Sequence, residues 1–141
     1  MKESILDSMD VVSRFCRLQM NKKMAIPIRA SEMGALIYVQ KNESQVTPLM
    51  ISHFFGIAKP SVTDMVDSLI KKTYLIKIPS KIDKRSYTLE VTEKGHKLLE
   101  STSKEYLRSM SFLEEKMGHQ KFDLFIQLLQ EANELLSEES E

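Results

Sequence analysis

A single cysteine, Cys16, cannot form an internal disulfide, so the chain must be held by its core and suits a reducing compartment. No apolar run approaches the roughly 20 residues a membrane helix needs. Met1 to Asp7 bring acids early and lack the apolar segment of a secretory signal, which points to the cytoplasm. Net charge is also missing, with 20 basic and 20 acidic residues, so a uniformly basic nucleic-acid binder is excluded. There is no glycine-rich phosphate loop, no nucleophile elbow and no evident pair of carboxylates in an apolar context. His53, His96 and His119 share no metal-ligand spacing, so a metal sensor is a minor alternative. Nothing therefore marks an enzyme, and no cofactor or metal is expected.

What is present suits a globular protein. The 141 residues fit one domain with a substantial core, and 42% hydrophobic against 28% charged residues is a globular balance. The neutral total hides an asymmetry. From Lys59 to Tyr87 seven bases face three acids, whereas from Phe112 to Glu141 two bases face eight acids. A basic middle and an acidic end suit a polyanion on one face, although ordinary surface charge reads the same way until motifs are added.

Hydrophobic periodicity predicts a first helix over about Glu3 to Lys23, striped by Ile5, Met9, Val12 and Cys16. Ser31 is a candidate N-cap for a short helix carrying Met33, Leu36 and Ile37, stopped at Asn42. Thr47-Pro48 reads as a cap followed by proline in the first turn, and Gly56 as the end of that helix. Pro60 opens another helix running to about Lys72. Tyr74 to Ile78 and Tyr87 to Val91 read as strands joined by the polar, basic loop Pro79 to Ser86. Thr92 caps a long helix expected to reach about Lys116 before Gly118. A last helix, about Gln120 to Ser137, carries the stripe Phe125, Leu128, Leu129, Ala132, Leu135 and Leu136.

Two short helices joined by a glycine turn and followed by a hairpin make a winged helix-turn-helix. Ile51 and Phe55 share a face of the first short helix, and Val62, Met65 and Leu69 line the inward face of the second. Ser52 is small where the helices must approach. Lys59, Pro60, Ser61, Thr63, Asp64, Asp67 and Ser68 are left facing outward, a short polar set starting at a helix N-terminus, as a major-groove helix requires. A helical hairpin with an incidental glycine is the competing reading; the loop bearing Lys81, Lys84 and Arg85 favours DNA.

The stretch Ser61 to Leu69, then Leu75, Asp83-Lys84-Arg85 and Leu89 to Gly95 resembles the MarR (multiple antibiotic resistance regulator) family. The specific part is an Asp-x-Arg wing, here Asp83 and Arg85, followed by Thr92, Glu93 and Gly95 at a helix start. The resemblance implies a mainly α fold with a small β wing, working as an obligate homodimer with interlocked terminal helices. Residues 1–30 would be a dimerisation helix, 31–95 the winged helix-turn-helix and 96–141 the C-terminal dimerisation helices, all in one structural domain. Ile5, Met9, Val12, Phe125, Leu128, Leu129, Leu135 and Leu136 would form the dimer contact, a stripe too apolar to stay exposed.

The implied function is a sequence-specific transcription regulator, most often a repressor, binding a pseudo-palindromic operator in double-stranded DNA. Lys59, Pro60, Ser61, Thr63, Asp64, Lys81, Asp83, Lys84 and Arg85 are the expected DNA-binding set. Among them Ser61 and Thr63 would read the major groove, Lys59 would meet phosphate, and Arg85 or its basic neighbours would enter the minor groove. Asp83 would hold Arg85 by a charge-assisted hydrogen bond. Three departures stand out. Thr73-Tyr74 occupies the place of a glycine before the first strand, Asp64 stands where a base is common, and the loop from Ala25 to Ala30 looks short.

Two alternatives remain open. The winged helix serves a protein partner, or Cys16, flanked by Arg14 and Arg17, senses redox state; its apolar stripe favours a buried, inert thiol instead. Met20, Met24, Met33, Met110 and Met117 are candidates to line a pocket for a small aromatic or apolar effector, with plain core filling as the alternative.

Overall fold

The computed structural model describes residues 3–20, 26–42 and 45–139, with the backbone alone at Met20. In chain order it contains α1 (Glu3–Met20), α2 (Ala30–Lys41), α3 (Pro48–Phe55), α4 (Lys59–Lys71), β1 (Leu75–Pro79), β2 (Tyr87–Val91), α5 (Glu93–Tyr106), α6 (Arg108–Met117) and α7 (His119–Glu139). The expected class holds: helices predominate, and β1 and β2 form an antiparallel wing in which Leu75 faces Val91 and Pro79 faces Tyr87. The end of the first helix expected at Lys23, the loop residue Ala25 and Met24 lie outside the described residues.

Local signals set most boundaries. Thr47 Oγ1 accepts the Met50 N–H at 3.2 Å, Pro48 follows in the first turn, and Gly56 closes α3 at φ 63°. Asn42 ends α2 as expected, its side-chain amide donating to the Tyr38 carbonyl at 2.8 Å. Ser31 is not the cap of α2. The helix begins one residue before it, behind Arg29, whose backbone N–H donates to Glu32 Oε1 at 3.0 Å. An acid in the third helical position reaching back to the chain entry does the work assigned to a serine hydroxyl.

The core is built around α2. Met33, Leu36 and Val39 pack with Ile51 of α3, with Val62, Met65, Val66 and Leu69 of α4, with Leu75 and Leu89 of the wing, and with Leu98 and Leu99 of α5. Val46 adds an isolated antiparallel bridge to Leu89, whose N–H donates to the Val46 carbonyl at 2.8 Å. Among the described residues one charge sits inside. The Glu32 side chain is 0% exposed, and its Oε1 also meets Arg29 Nε and Lys72 Nζ at 3.3 Å each, while Oε2 is without a hydrogen-bond partner. Burial would raise its pKa; the adjoining Ser68 side chain, the Arg29 backbone and guanidinium, and the Lys72 ammonium outweigh that and lower it to about 2.

The long helix expected from Thr92 to Lys116 is broken at Leu107 into α5 and α6. The hydroxyls of Ser101 and Thr102 both donate to the Leu98 carbonyl, at 3.1 and 2.5 Å, just before the break. Such back-bonding competes with the helical N–H for one acceptor and bends helices.

The terminal helices face away from their own core. Phe15 of α1 packs edge-to-face on Phe125 of α7, with centroids 5.6 Å apart, and Ser109 Oγ donates to Gln19 Oε1 at 2.8 Å. Beyond those contacts, Ile5, Met9, Val12, Leu128, Leu135 and Leu136 are each more than half exposed. Cys16 lies on that same outward stripe and is exposed. Within the single chain Cys16 is therefore not buried, because the stripe it belongs to does not pack on its own chain. No helix of the described residues is long and apolar enough to cross a membrane.

Candidate nucleic-acid interface

The helix-turn-helix is closed by two reciprocal bonds. The Ile57 N–H donates to the Ser52 carbonyl at 3.1 Å, and Ser52 Oγ donates to the Ile57 carbonyl at 2.6 Å. Ser52 is buried, so its small side chain both permits the approach of α3 to α4 and satisfies the turn. Its partner Ile51 is fully buried, but Phe55 is not part of that inward face. Phe55 is 38% exposed and stacks with Phe54 and Tyr38 at 4.9 and 5.9 Å between centroids.

On α4 the buried face is Val62, Met65, Val66 and Leu69, which leaves Lys59, Pro60, Ser61, Thr63, Asp64 and Asp67 exposed. Ser68 departs from the expected outward set: it is half-buried beside Glu32, one helical turn from the end of α4. Thr63 Oγ1 donates back to the Lys59 carbonyl at 3.1 Å, which leaves its oxygen lone pairs free to accept.

The wing tip is a cross-braced turn. Ser80 Oγ accepts the N–H groups of Ile82 and Asp83 at 3.2 and 3.3 Å. Asp83 accepts the Arg85 backbone N–H at 3.0 Å on Oδ1 and the Ser86 hydroxyl at 3.2 Å on Oδ2. Asp83 thus organises the backbone, not the Arg85 guanidinium; among the described residues no ion pair joins the two side chains. A short carboxylate two residues back reaches a main-chain N–H more readily than the end of a long arginine. Farther down, the Lys77 ammonium lies 4.5 Å from the Tyr87 ring centre.

Between wing and helices lies a cleft of about 450 Å³ whose walls include Lys59 and Thr63 of α4, Arg85 and Tyr87 of the wing, and Thr47 at the start of α3. It unites three of the residues singled out in the sequence, Lys59, Thr63 and Arg85, while Lys81 and Lys84 stand at the exposed tip. Thr47 and Tyr87 were missed as members of this surface. Their roles as helix cap and strand residue were legible, but their nearness to Arg85 depends on how the hairpin folds back.

A second cleft, of about 910 Å³, separates α3 from α7 and is walled by His53, Phe54 and Phe55 on one side and by Gln130 and Glu134 on the other. Of the methionines proposed for a pocket, Met33, Met110 and Met117 do not line it, and the Met20 side chain and Met24 lie outside the described residues. Met33 is buried in the core, and Met110 and Met117 are half-buried on α6. His53, His96 and His119 fall on three separate helices, and His119 Nδ1 lies 2.8 Å from Glu114 Oε1.

No protein-family model and no curated protein matches the chain. Solved structures do. A MarR protein from Peptoclostridium difficile superposes with a TM-score of 0.79 at 21% identity, over 99% of this chain and 91% of that one. The MepR–DNA complex of S. aureus gives 0.75 at 17% identity, over 96% and 98%. NadR in complex with 4-hydroxyphenylacetate gives 0.67 at 21% identity, over 92% and 89%. The likeness spans both the central winged region and the terminal helices. The chain therefore has the winged helix-turn-helix fold of the MarR regulators.

Proposed function

We propose that the chain is a MarR-class transcription regulator that binds double-stranded operator DNA as a homodimer and acts in the cytoplasm. The observation carrying this is the cleft that brings Lys59, Thr63 and Arg85 together, with the exposed polar face of α4 on one side and the basic wing on the other. In this reading α4 lies in the major groove. Ser61 and Thr63 meet base edges, and Lys59 meets phosphate beside Pro60 at the helix start. Asp64 accepts from a cytosine amino group, which would make it a discriminating residue in a field of phosphates. The braced wing carries Lys81, Lys84 and Arg85 to the adjoining minor groove, where narrow tracts concentrate negative potential.

A two-fold dimer sets two recognition helices one helical turn apart on a pseudo-palindrome. The exposed apolar stripes of α1 and α7 support that assembly, since a monomer would leave them in water. A small aromatic or apolar effector fits the cleft between α3 and α7, whose wall of Phe54 and Phe55 offers stacking surface. Its binding would change the spacing of the two α4 helices, so that both half-sites are no longer engaged together.

The test is fluorescence anisotropy with a labelled duplex from upstream of the protein's own gene and a shuffled duplex, at low and near-physiological salt. Preference for the native duplex, weakening with salt and on Arg85→Ala, is the expected result. Equal, salt-insensitive binding to both duplexes, unchanged in Arg85→Ala, would assign the winged helix to a protein partner instead.

A further inference from the structure

Among the described residues, the hydrophobic side chain most open to solvent is at the apex of the wing: Ile82 is 99% exposed. Three facts make this more than stray surface. A β-branched apolar residue is a poor choice for a tight turn, where Gly, Asn, Asp or Ser would satisfy the backbone better. The turn is also held in shape around it. Ser80 Oγ accepts the Ile82 N–H, Asp83 secures Arg85 and Ser86, and Ser80 N–H donates to the Ser86 carbonyl at 3.0 Å. The apex is thus presented rather than left to collapse onto the strands. Lastly, its neighbours in sequence are cationic on both sides, Lys81 before it and Lys84 and Arg85 after Asp83.

That combination excludes most occupants. Basic residues around an apolar tip fit a polyanion that also offers an apolar surface. A DNA minor groove does so, because its walls are deoxyribose rings between two rows of phosphate. Proteins that enter this groove often place apolar side chains in it beside their cations. Resting on the DNA-binding reading above, we propose that Ile82 is a minor-groove contact residue of the wing, packing against the deoxyribose walls while Lys81, Lys84 and Arg85 meet the flanking phosphates and the groove floor. Part of the wing's affinity is then hydrophobic and independent of counterion release.

Ile82→Ala, Ile82→Leu and Lys84→Ala are compared with wild type by anisotropy on the native upstream duplex across a salt series, and by hydroxyl-radical footprinting, which reads the exposure of individual sugars. The expected result for Ile82→Ala is about a tenfold loss of affinity with the salt slope unchanged, restored by Ile82→Leu, whereas Lys84→Ala lowers the slope by about one. Sugars protected at the wing positions become reactive in Ile82→Ala while protection around the α4 half-sites stays. Wild-type affinity and footprint in Ile82→Ala, on a duplex that wild type binds with preference, would overturn the inference and leave the regulator reading standing. Absence of any preference in wild type would remove both.

Discussion

The hydroxyl of Thr92 donates to the carbonyl oxygen of Thr73 across 2.6 Å. The Thr92 hydroxyl oxygen also accepts the Gly95 N–H at 3.0 Å and so caps α5, which makes one side chain the joint between the end of the helix-turn-helix and the helix leading to the chain's C-terminal half. Thr73 itself sits at φ 67°, in the left-handed region where a β-branched residue is strained. This is the position at which the sequence departs from the glycine expected before the first strand. The turn keeps its left-handed shape without glycine because its carbonyls are held from outside, by Thr92 and by Lys94 Nζ, which donates to the Lys72 carbonyl at 3.0 Å.

Thr73→Gly should therefore stabilise the protein by about 1 kcal/mol, the strain relieved exceeding the added entropy of the unfolded chain. Thr92→Val should cost about 1–2 kcal/mol, since it removes the cap and the tie together. Urea unfolding of both variants checks the pair; destabilisation by Thr73→Gly would show that the left-handed turn carries no net strain.

Gly95 allows the first turn of α5 to lie against the wing. A Cβ built there would stand 2.5 Å from the Tyr74 carbonyl oxygen and 2.6 Å from Val91 Cγ1. The first obstacle is backbone, so a rotamer change cannot relieve it. Gly95→Ala is expected to cost at least about 2 kcal/mol despite alanine's better helix propensity. A melting temperature at or above wild type would show that α5 can shift away.

Glu32 predicts an acid dependence. Its folded pKa of about 2 lies below the ordinary glutamate value of 4.5, so its contribution is complete above about pH 4.5 and is lost as pH falls toward 2. The contribution is at most about 3 kcal/mol. Glu32→Gln should unfold more readily at neutral pH, and its stability should be flatter between those two values. Parallel curves for variant and wild type from pH 5 to 2.5 would assign the acid sensitivity to other groups.

The outward stripes of α1 and α7 predict that folding and association are linked. Sedimentation at micromolar concentration should give twice the 16.3 kDa of one chain, and the thermal midpoint should fall on dilution. A folded species at 16.3 kDa with a concentration-independent midpoint would mean that these stripes do not need a partner subunit.

Much of the molecule was legible along the chain. Thr47-Pro48, Gly56, Asn42, Thr92 and Gly118 act within four residues of themselves, so each marked a boundary that the structure keeps. The exposed face of α4 was legible too, because helical periodicity alone separates Val62, Met65, Val66 and Leu69 from Lys59, Ser61, Thr63 and Asp64. The basic wing followed from composition.

Tertiary structure alone decided the rest, wherever a residue's role depends on a neighbour far along the chain. Glu32 reads as a surface acid until Lys72, forty residues away, and Ser68 close over it. Phe55 and Cys16 each fall on a helical stripe that periodicity assigns to an interior, yet periodicity says only that residues share a face, not what that face meets. Phe55 meets other aromatic rings at the surface, and Cys16 faces away from its own subunit. Thr73 holds a glycine's backbone angle because Thr92 reaches across to its carbonyl and Lys94 to that of Lys72, a compensation that no local rule at position 73 contains.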